Sequence, residues 1–219
     1  MKLQTTILQF PELSLSTRDA HKIRGFFGDF FKEHSPLLHN HMENGEFRYA
    51  YPLVQYKVIN KTPMLVGLNE GGELLTRLFT SIDHLDIGGK RIEITNKRIQ
   101  NEHAEVGVAD QLYEYNFATL WMALNQQNYS AYLQKDEKER KEMLEKISTS
   151  NILSFYKSID YHENEKILVK TSLQQKTTNF KNKRMIAFTG SMVTNARLPE
   201  YIGLGKSVAR GFGTIQRAK

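Results

Sequence analysis

Two histidines one residue apart, His39 and His41, are the side chains of this chain best suited to moving protons near neutral pH, because imidazole has the unperturbed pKa closest to 7. In an extended segment the i, i+2 spacing sets both rings on one side, and in a helix on roughly opposing sides. Pro36 and Asn44-Gly45 favour loop or extended backbone around them. An acid–base pair is one reading, and two exposed loop histidines without a task is the other.

A second chemical signal lies near the C-terminus. Gly203-Leu204-Gly205-Lys206-Ser207-Val208-Ala209-Arg210-Gly211-Phe212-Gly213 holds two Gly-hydrophobic-Gly clusters separated by five residues that carry two cations. Glycines lack a Cβ, so this backbone can approach a ligand closely, and a cationic loop with backbone N–H groups suits phosphate. Gly205-Lys206-Ser207 matches the end of a Walker A loop, but Glu200 stands where that loop needs a glycine. A dinucleotide fingerprint needs a following helix and a further acid, and only six residues follow Gly213. A nucleotide-binding enzyme built on this run is therefore disfavoured. A glycine-rich turn before a C-terminal strand remains open.

The elements that must position these residues follow from periodicity. Leu3 to Phe10 reads as a strand closed by Pro11. Ser16 with Asp19 forms a capping box ahead of Ile23, Phe26, Phe27, Phe30 and Phe31 at helical spacing, and the helix is expected to end near His34-Ser35-Pro36. A β-rich stretch Phe47–Ile59 containing Lys57, a turn at Asn60-Lys61, a strand Met64–Leu68, a helix Glu73–Thr80 and a returning strand Arg91–Thr95 come next. Strand, helix, strand, strand, helix, strand is the ferredoxin-like order. Beyond Val106, the aromatic run Leu112–Leu124 leans to β structure, and Asp136–Tyr156 is helical. Its Met143, Leu144, Ile147, Ile152, Leu153 and Phe155 mostly fit a buried stripe. Ile167–Leu173, Met185–Val193 and Phe212–Arg217 read as strands.

Composition bounds the function. With 219 residues and 40% hydrophobic content the chain can bury one large core or two small ones. It has no cysteine, which excludes disulfides and thiolate zinc sites. The stretch Met1–Phe10 lacks the unbroken apolar run of a secretory signal, and no segment approaches the ~20 apolar residues of a membrane span, so cytoplasmic residence is expected. From Lys170 onward ten cations face the single acid Glu200, a net of +9, so the preceding 169 residues sum to −3 against the chain's +6. A basic C-terminal third is what a polyanion-binding face looks like, and a solvated charged surface is the alternative.

The paired glycine clusters resemble the C-terminal signature of the CRISPR-associated repeat-RNA endoribonucleases, the Cas six family of the RAMP superfamily. Leu38-His39-Asn40-His41 followed by Tyr51-Pro52-Leu53-Val54-Gln55-Tyr56-Lys57 is similar to the N-terminal half of its b-type members. Leu124-Asn125-Gln126-Gln127-Asn128-Tyr129, and the run from Phe180 to Asn195 with Leu198-Pro199, also fit, so the likeness spans almost the whole chain. The resemblance implies an α+β fold of tandem ferredoxin-like (RAMP/RRM-like) domains with antiparallel sheets and a glycine-rich loop. Residues 1–105 would carry the histidine pair and 106–219 the loop.

The implied reaction is metal-independent and cofactor-free cleavage of CRISPR precursor RNA within its repeats, leaving a 2′,3′-cyclic phosphate and a 5′-hydroxyl. His39 and His41 would be the acid–base pair, Lys57 would stabilise the charged phosphate, and Tyr49 or Tyr51 would position it. Gly203, Gly205, Lys206, Ser207, Arg210, Gly211 and Gly213 would bind RNA through backbone N–H groups and cations. Lys181, Lys183 and Arg184 would extend that path, while Leu204 and Phe212 would anchor the loop. CRISPR repeat RNA is the expected partner, with effector-complex subunits and a second copy as further candidates. The letters His39-Asn40-His41 are not an HNH nuclease motif, which spreads its residues over a ββα unit around a metal. His21, His34, His84, His103 and His162 match no position of the family. A non-catalytic RNA-binding RAMP subunit is the alternative.

Overall fold

The structure, a computed structural model, describes residues 1–32, 51–180 and 183–218. It divides into two bodies. One comprises Lys2–Ala104 with Val208–Gly211, and the other Met1, Glu105–Ser207 and Phe212–Lys219. No helix among the described residues is long and apolar enough to cross a membrane.

The N-terminal body opens with strand β1 (Lys2–Gln9) and helix α1 (Ala20–Lys32). As the sequence predicts, Ser16 and Asp19 form a capping box, here over a 3-10 turn, Thr17–Asp19, that leads into α1. The Phe-rich stripe of α1 is apolar on one side, so it must cover the sheet. Ile23, Phe27 and Phe31 are fully buried, and Phe27 stacks on Phe10 and Tyr56, both at 6.1 Å. Strands β2 (Val54–Ile59) and β3 (Thr62–Leu68) form a hairpin whose turn residues, Asn60 and Lys61, both have positive φ, 49° and 68°. Two left-handed residues twist the chain in the sense of the flanking strands, which is why such turns close two-residue hairpins.

Helix α2 (Glu70–Leu78), the small hairpin β4 (His84–Ile87) and β5 (Lys90–Glu93), and strand β6 (Arg98–Glu105) complete the body. The sheet order is β2-β3-β1-β6, the ferredoxin-like arrangement, with β4–β5 as a separate two-stranded sheet. Here one expectation is corrected: Arg91–Thr95 belongs to the β4–β5 hairpin, and the returning strand is Arg98–Glu105. That edge strand is polar and mostly exposed, Arg-Ile-Gln-Asn-Glu-His-Ala-Glu, so it carries no apolar alternation to betray it. Helix α2 starts earlier than its apolar residues suggest, at Glu70 rather than Glu73.

The C-terminal body runs β7 (Gly107–Phe117), α3 (Gln126–Gln134), α4 (Glu137–Ser158), β8 (Val169–Phe180), β9 (Lys183–Arg197) and β10 (Ile215–Arg217). Its sheet order is β10-β7-β9-β8. Counted from its own first strand this is again fourth, first, third, second, so the two bodies are tandem ferredoxin-like units. Asp136 and Glu139 cap α4, and Leu144, Ser148, Ile152 and Phe155 form its buried stripe. Leu153, expected in that stripe, is 44% exposed, because the 3.6-residue period passes through its neighbour. Helix α3 is a second difference: Asn125 and Asn128 cap it reciprocally, but only Tyr132 is buried, so no apolar period announces it. Strands β8 and β9 extend well past their apolar cores, pairing from Val169–Thr194 out to Phe180–Lys183.

The second crossover of this body contains no α-helix. Between β9 and β10 the chain runs from Leu198 to Thr214, through the glycine clusters.

Candidate functional site

His39, His41 and Lys181 lie outside the described residues, as does Tyr49. Tyr51 lies three residues before the start of β2. The other sequence-predicted site residues fall into two groups, one in each body.

In the C-terminal body the glycine segment is folded back on its own sheet. Tyr115 receives the Leu198 N–H on its hydroxyl at 2.9 Å and so fixes where the segment begins. Tyr201 N–H donates to Ile215 O and Ile215 N–H to Ile202 O, both at 2.9 Å. Gly203 bridges Thr214, and Leu204 N–H donates to Gly213 O at 2.9 Å. This pairing demands a glycine at 213: its φ is +63°, and a Cβ there would stand 2.0 Å from Leu204 O. Leu204 is 1% exposed, anchoring the segment as the sequence predicts. Phe212 is half-buried and meets the Phe180 ring edge-on at 5.6 Å.

Lys206 is exposed, and its backbone is fixed by donation of its N–H to Met122 O at 3.1 Å. Met122 is itself positioned by Trp121, which exchanges two hydrogen bonds with Phe188, stacks on Phe117 at 5.1 Å, and donates its indole N–H to Asn151 of α4. Lys183 and Arg184 belong to β9 and are exposed. Lys183 is paired with Phe180 and Arg184 with Asn179. Directly opposed residues share a face and the faces alternate, so Lys183 lies on the face of Phe180, toward Phe212, and Arg184 on the reverse. Glu200, the single acid of this stretch, accepts the Arg217 N–H at 3.0 Å.

In the N-terminal body, Val208–Arg210 form a 3-10 turn closed by donation of Gly211 N–H to Val208 O at 3.1 Å. The turn rests on β2 and the start of α1. Gly211 has φ +82°, and a Cβ there would come within 3.0 Å of Tyr56 O, 3.1 Å of the Ala20 Cβ and 3.5 Å of the Lys57 Cα. Contact this close requires the missing side chain. Arg210 is half-buried, and its pKa is lowered first by burial and then by the charge of Arg24 on α1.

The Val208–Gly211 turn and the backbone of Lys57 are thus neighbours in one body. Val54, Tyr56 and Val58 face the α1 core, so Gln55 and Lys57 point the other way. Lys57 is 0% exposed, and its ammonium donates to Gln55 Oε1 at 2.9 Å. Gln55 in turn donates its amide to Pro52 O at 3.3 Å. Burial brings the Lys57 pKa down to about 7, so the amine exchanges between charged and neutral forms near neutrality. The sequence reading places this ammonium at a reacting phosphate; in the structure it is buried and bonded to Gln55.

A second expectation also shifts. The N–H groups of Leu204, Lys206, Gly211 and Gly213 all donate to protein carbonyls, so those four are committed to folding the segment. The cationic side chains of this segment are Lys206, in one body, and Arg210, in the other, where the charge of Arg24 acts on it. Arg24, on the polar face of an amphipathic helix, carries no local signal in the sequence. Only the seating of Gly211 on Ala20, one helical turn away, distinguishes it.

Two family models match the chain end to end: the Cas6b N-terminal domain over residues 1–105 and the Cas6b C-terminal domain over residues 107–218. A crystal structure of Cas6b superposes with a TM-score of 0.94 at 34% identity, covering 100% of both chains. A crystal structure of the CRISPR RNA processing endoribonuclease Cas6b gives 0.81 at 30% identity, again over 100% of each. The chain is also 34% identical over 145 residues to the uncharacterized protein MJ0978 of Methanocaldococcus jannaschii, a stretch covering 65% of this chain and 97% of that protein.

Proposed function

The chain belongs to the Cas6b family of CRISPR RNA processing endoribonucleases, and from that premise we propose that it cuts CRISPR precursor RNA within its repeats by attack of a 2′-hydroxyl on the adjacent phosphate, without a metal ion. The observation that carries this reading is the match of both family models along the chain together with the cationic glycine segment they end in. RNA supplies its own nucleophile. In the proposed step one imidazole of the His39–His41 pair takes the 2′-hydroxyl proton as O2′ bonds to phosphorus. The P–O5′ bond breaks, and the other imidazole, protonated at the outset, returns a proton to O5′. The products are a 2′,3′-cyclic phosphate and a 5′-hydroxyl. Two titrating groups of near-neutral pKa suffice for this, since each positioned proton transfer contributes on the order of a hundred- to ten-thousandfold.

The remaining assignments belong to the same proposal. Residues 1–105 carry the histidine pair and residues 106–219 the glycine segment. Lys206, Ser207 and Arg210, with Lys181, Lys183 and Arg184, contact RNA phosphates. The glycines Gly203, Gly205, Gly211 and Gly213 serve that contact by shaping the backbone. Lys57, buried in β2 with its backbone against the Val208–Gly211 turn, supports the site through that turn. The repeat RNA is the partner, in the cytoplasm, with effector-complex subunits or a second copy as further partners.

The test is incubation with the repeat RNA encoded beside its own gene, in EDTA, followed by end-group analysis. Cleavage with cyclic-phosphate ends is expected, and replacing both His39 and His41 by Ala removes most of it while leaving affinity nearly intact. Cleavage that requires a divalent metal, or a double variant as fast as the parent, overturns the mechanism. Binding without any cleavage by the parent favours a guide-RNA-holding subunit instead.

A further inference from the structure

We infer that Arg24 on α1 joins Arg210 in gripping one backbone phosphate of the bound RNA. The inference rests on the RNA-processing reading above and adds to it a residue from a helix that the sequence assigned only to the core.

The geometry begins with the turn. Gly211 lies against Ala20 and Tyr56, close enough that a Cβ would reach the Ala20 Cβ at 3.1 Å and Tyr56 O at 3.0 Å. Ala20 and Arg24 are one helical turn apart on the same strip of α1. The turn that carries Arg210 therefore runs along the strip that leads to Arg24. Electrostatics agrees on the placement from two sides, because the charge of Arg24 acts both on Arg210 and on the Tyr56 hydroxyl. Asp19, five residues before Arg24 in the preceding 3-10 turn, is held by Lys22 at 2.8 Å and by the Ser16 N–H at 3.1 Å.

Two guanidinium groups can each present paired N–H donors to phosphate oxygens, so one phosphate can join them. Arg24 is exposed and Arg210 half-buried, so the pair stands at the rim of the body and not in its core. A phosphodiester is the anion that fits, given the net +9 of the chain from Lys170 onward and the weight of phosphate contacts in RNA binding.

The experiment uses repeat RNA carrying a 2′-deoxy nucleotide at the scissile position. Its affinity is measured across a salt series for the parent, R24A, R24K, R210A and the R24A/R210A double variant, alongside cleavage of the all-ribose RNA. R24A is expected to weaken binding about tenfold and to flatten the log–log salt slope by roughly 0.7 to 0.9. In cleavage, the loss falls on the half-saturating protein concentration. R24K keeps the slope while losing part of the affinity, since charge survives and the fork does not. The double variant binds little more weakly than R210A alone, because both act on one phosphate. An R24A protein equal to the parent in affinity and slope overturns the inference, as does full multiplication of the two single losses. Failure of the parent itself to bind or cut the RNA is a different result, and it overturns the functional reading instead.

Discussion

The two bodies share a strand order but join their third strand to their fourth by different means. In the N-terminal body α2 and the β4–β5 hairpin span from β3 to β6, and in the C-terminal body the glycine segment spans from β9 to β10. The helix bonds its amides along its own axis, buries Leu74, Leu75 and Leu78, and puts Glu70 and Glu73 in its first turn, where negative charge suits the helix dipole and repels phosphate. The glycine segment fills the same topological slot with a strand-like pairing, Tyr201–Leu204 against Gly213–Ile215, and one 3-10 turn. What the difference teaches is a division of labour. The glycines permit a connection too tight for a helix, and the cations between them, Lys206 and Arg210, are the residues we propose for the ligand.

The sharpest way to break that division is Gly213→Val. A β-branched residue at φ +63°, with its Cβ 2.0 Å from Leu204 O, cannot keep the pairing. We expect a loss on the order of 4 kcal/mol, from positive-φ strain and steric conflict with backbone. Urea unfolding reads it. A variant as stable as the parent means that the segment folds without the Leu204–Gly213 closeness, and glycine is then not structural there.

A smaller effect sharpens the comparison on the N-terminal side, where the segment's turn lies against the backbone of Lys57. The folded-state pKa of about 7 lies below the ordinary lysine value of 10.5. Between those two values the unfolded chain holds a proton that the folded chain has released, so stability rises with pH across that window. The slope approaches about 1.4 kcal/mol per pH unit at most. Below pH 7 both states are protonated and this slope vanishes. Lys57→Met removes the titrating group, so between pH 7 and 9 the parent gains on the variant by about 2 kcal/mol. A stability difference that does not change with pH means that the Lys57 ammonium is solvated.

Much of this was legible before the fold. The Ser16–Asp19 capping box, the Phe stripe of α1, the Asn60-Lys61 turn and the helix after Asp136 each carry a local signal, and each stands where the sequence reading put it. The ferredoxin-like order was legible too, though its closing strand was not, because Arg98–Glu105 is an exposed edge with no apolar alternation. Helix α3 was hidden for a related reason, burying one tyrosine from nine residues. At the site, Leu204 reads as an anchor from its place between two glycines. Long-range facts were out of reach: that four residues of the glycine segment pack in the N-terminal body, that Gly211 lies on Ala20, and that Lys57 is buried.

The smallest expected change in stability completes the contrast with Gly213. Lys206 is exposed, and the segment holds it through its backbone N–H on Met122 O, an anchor that any non-proline residue can supply. Lys206→Ala therefore leaves the unfolding midpoint within about 0.5 kcal/mol of the parent, as for most surface substitutions. If the cations of the segment serve the ligand, the same variant lowers affinity for repeat RNA several-fold and reduces the salt slope by about 0.7, one phosphate contact on a single strand. The two measurements move independently only if folding and binding are carried by different residues of the segment. A Lys206 variant that loses stability and keeps its salt slope reverses the assignment, making the lysine part of the scaffold and leaving the glycines without a binding role to support.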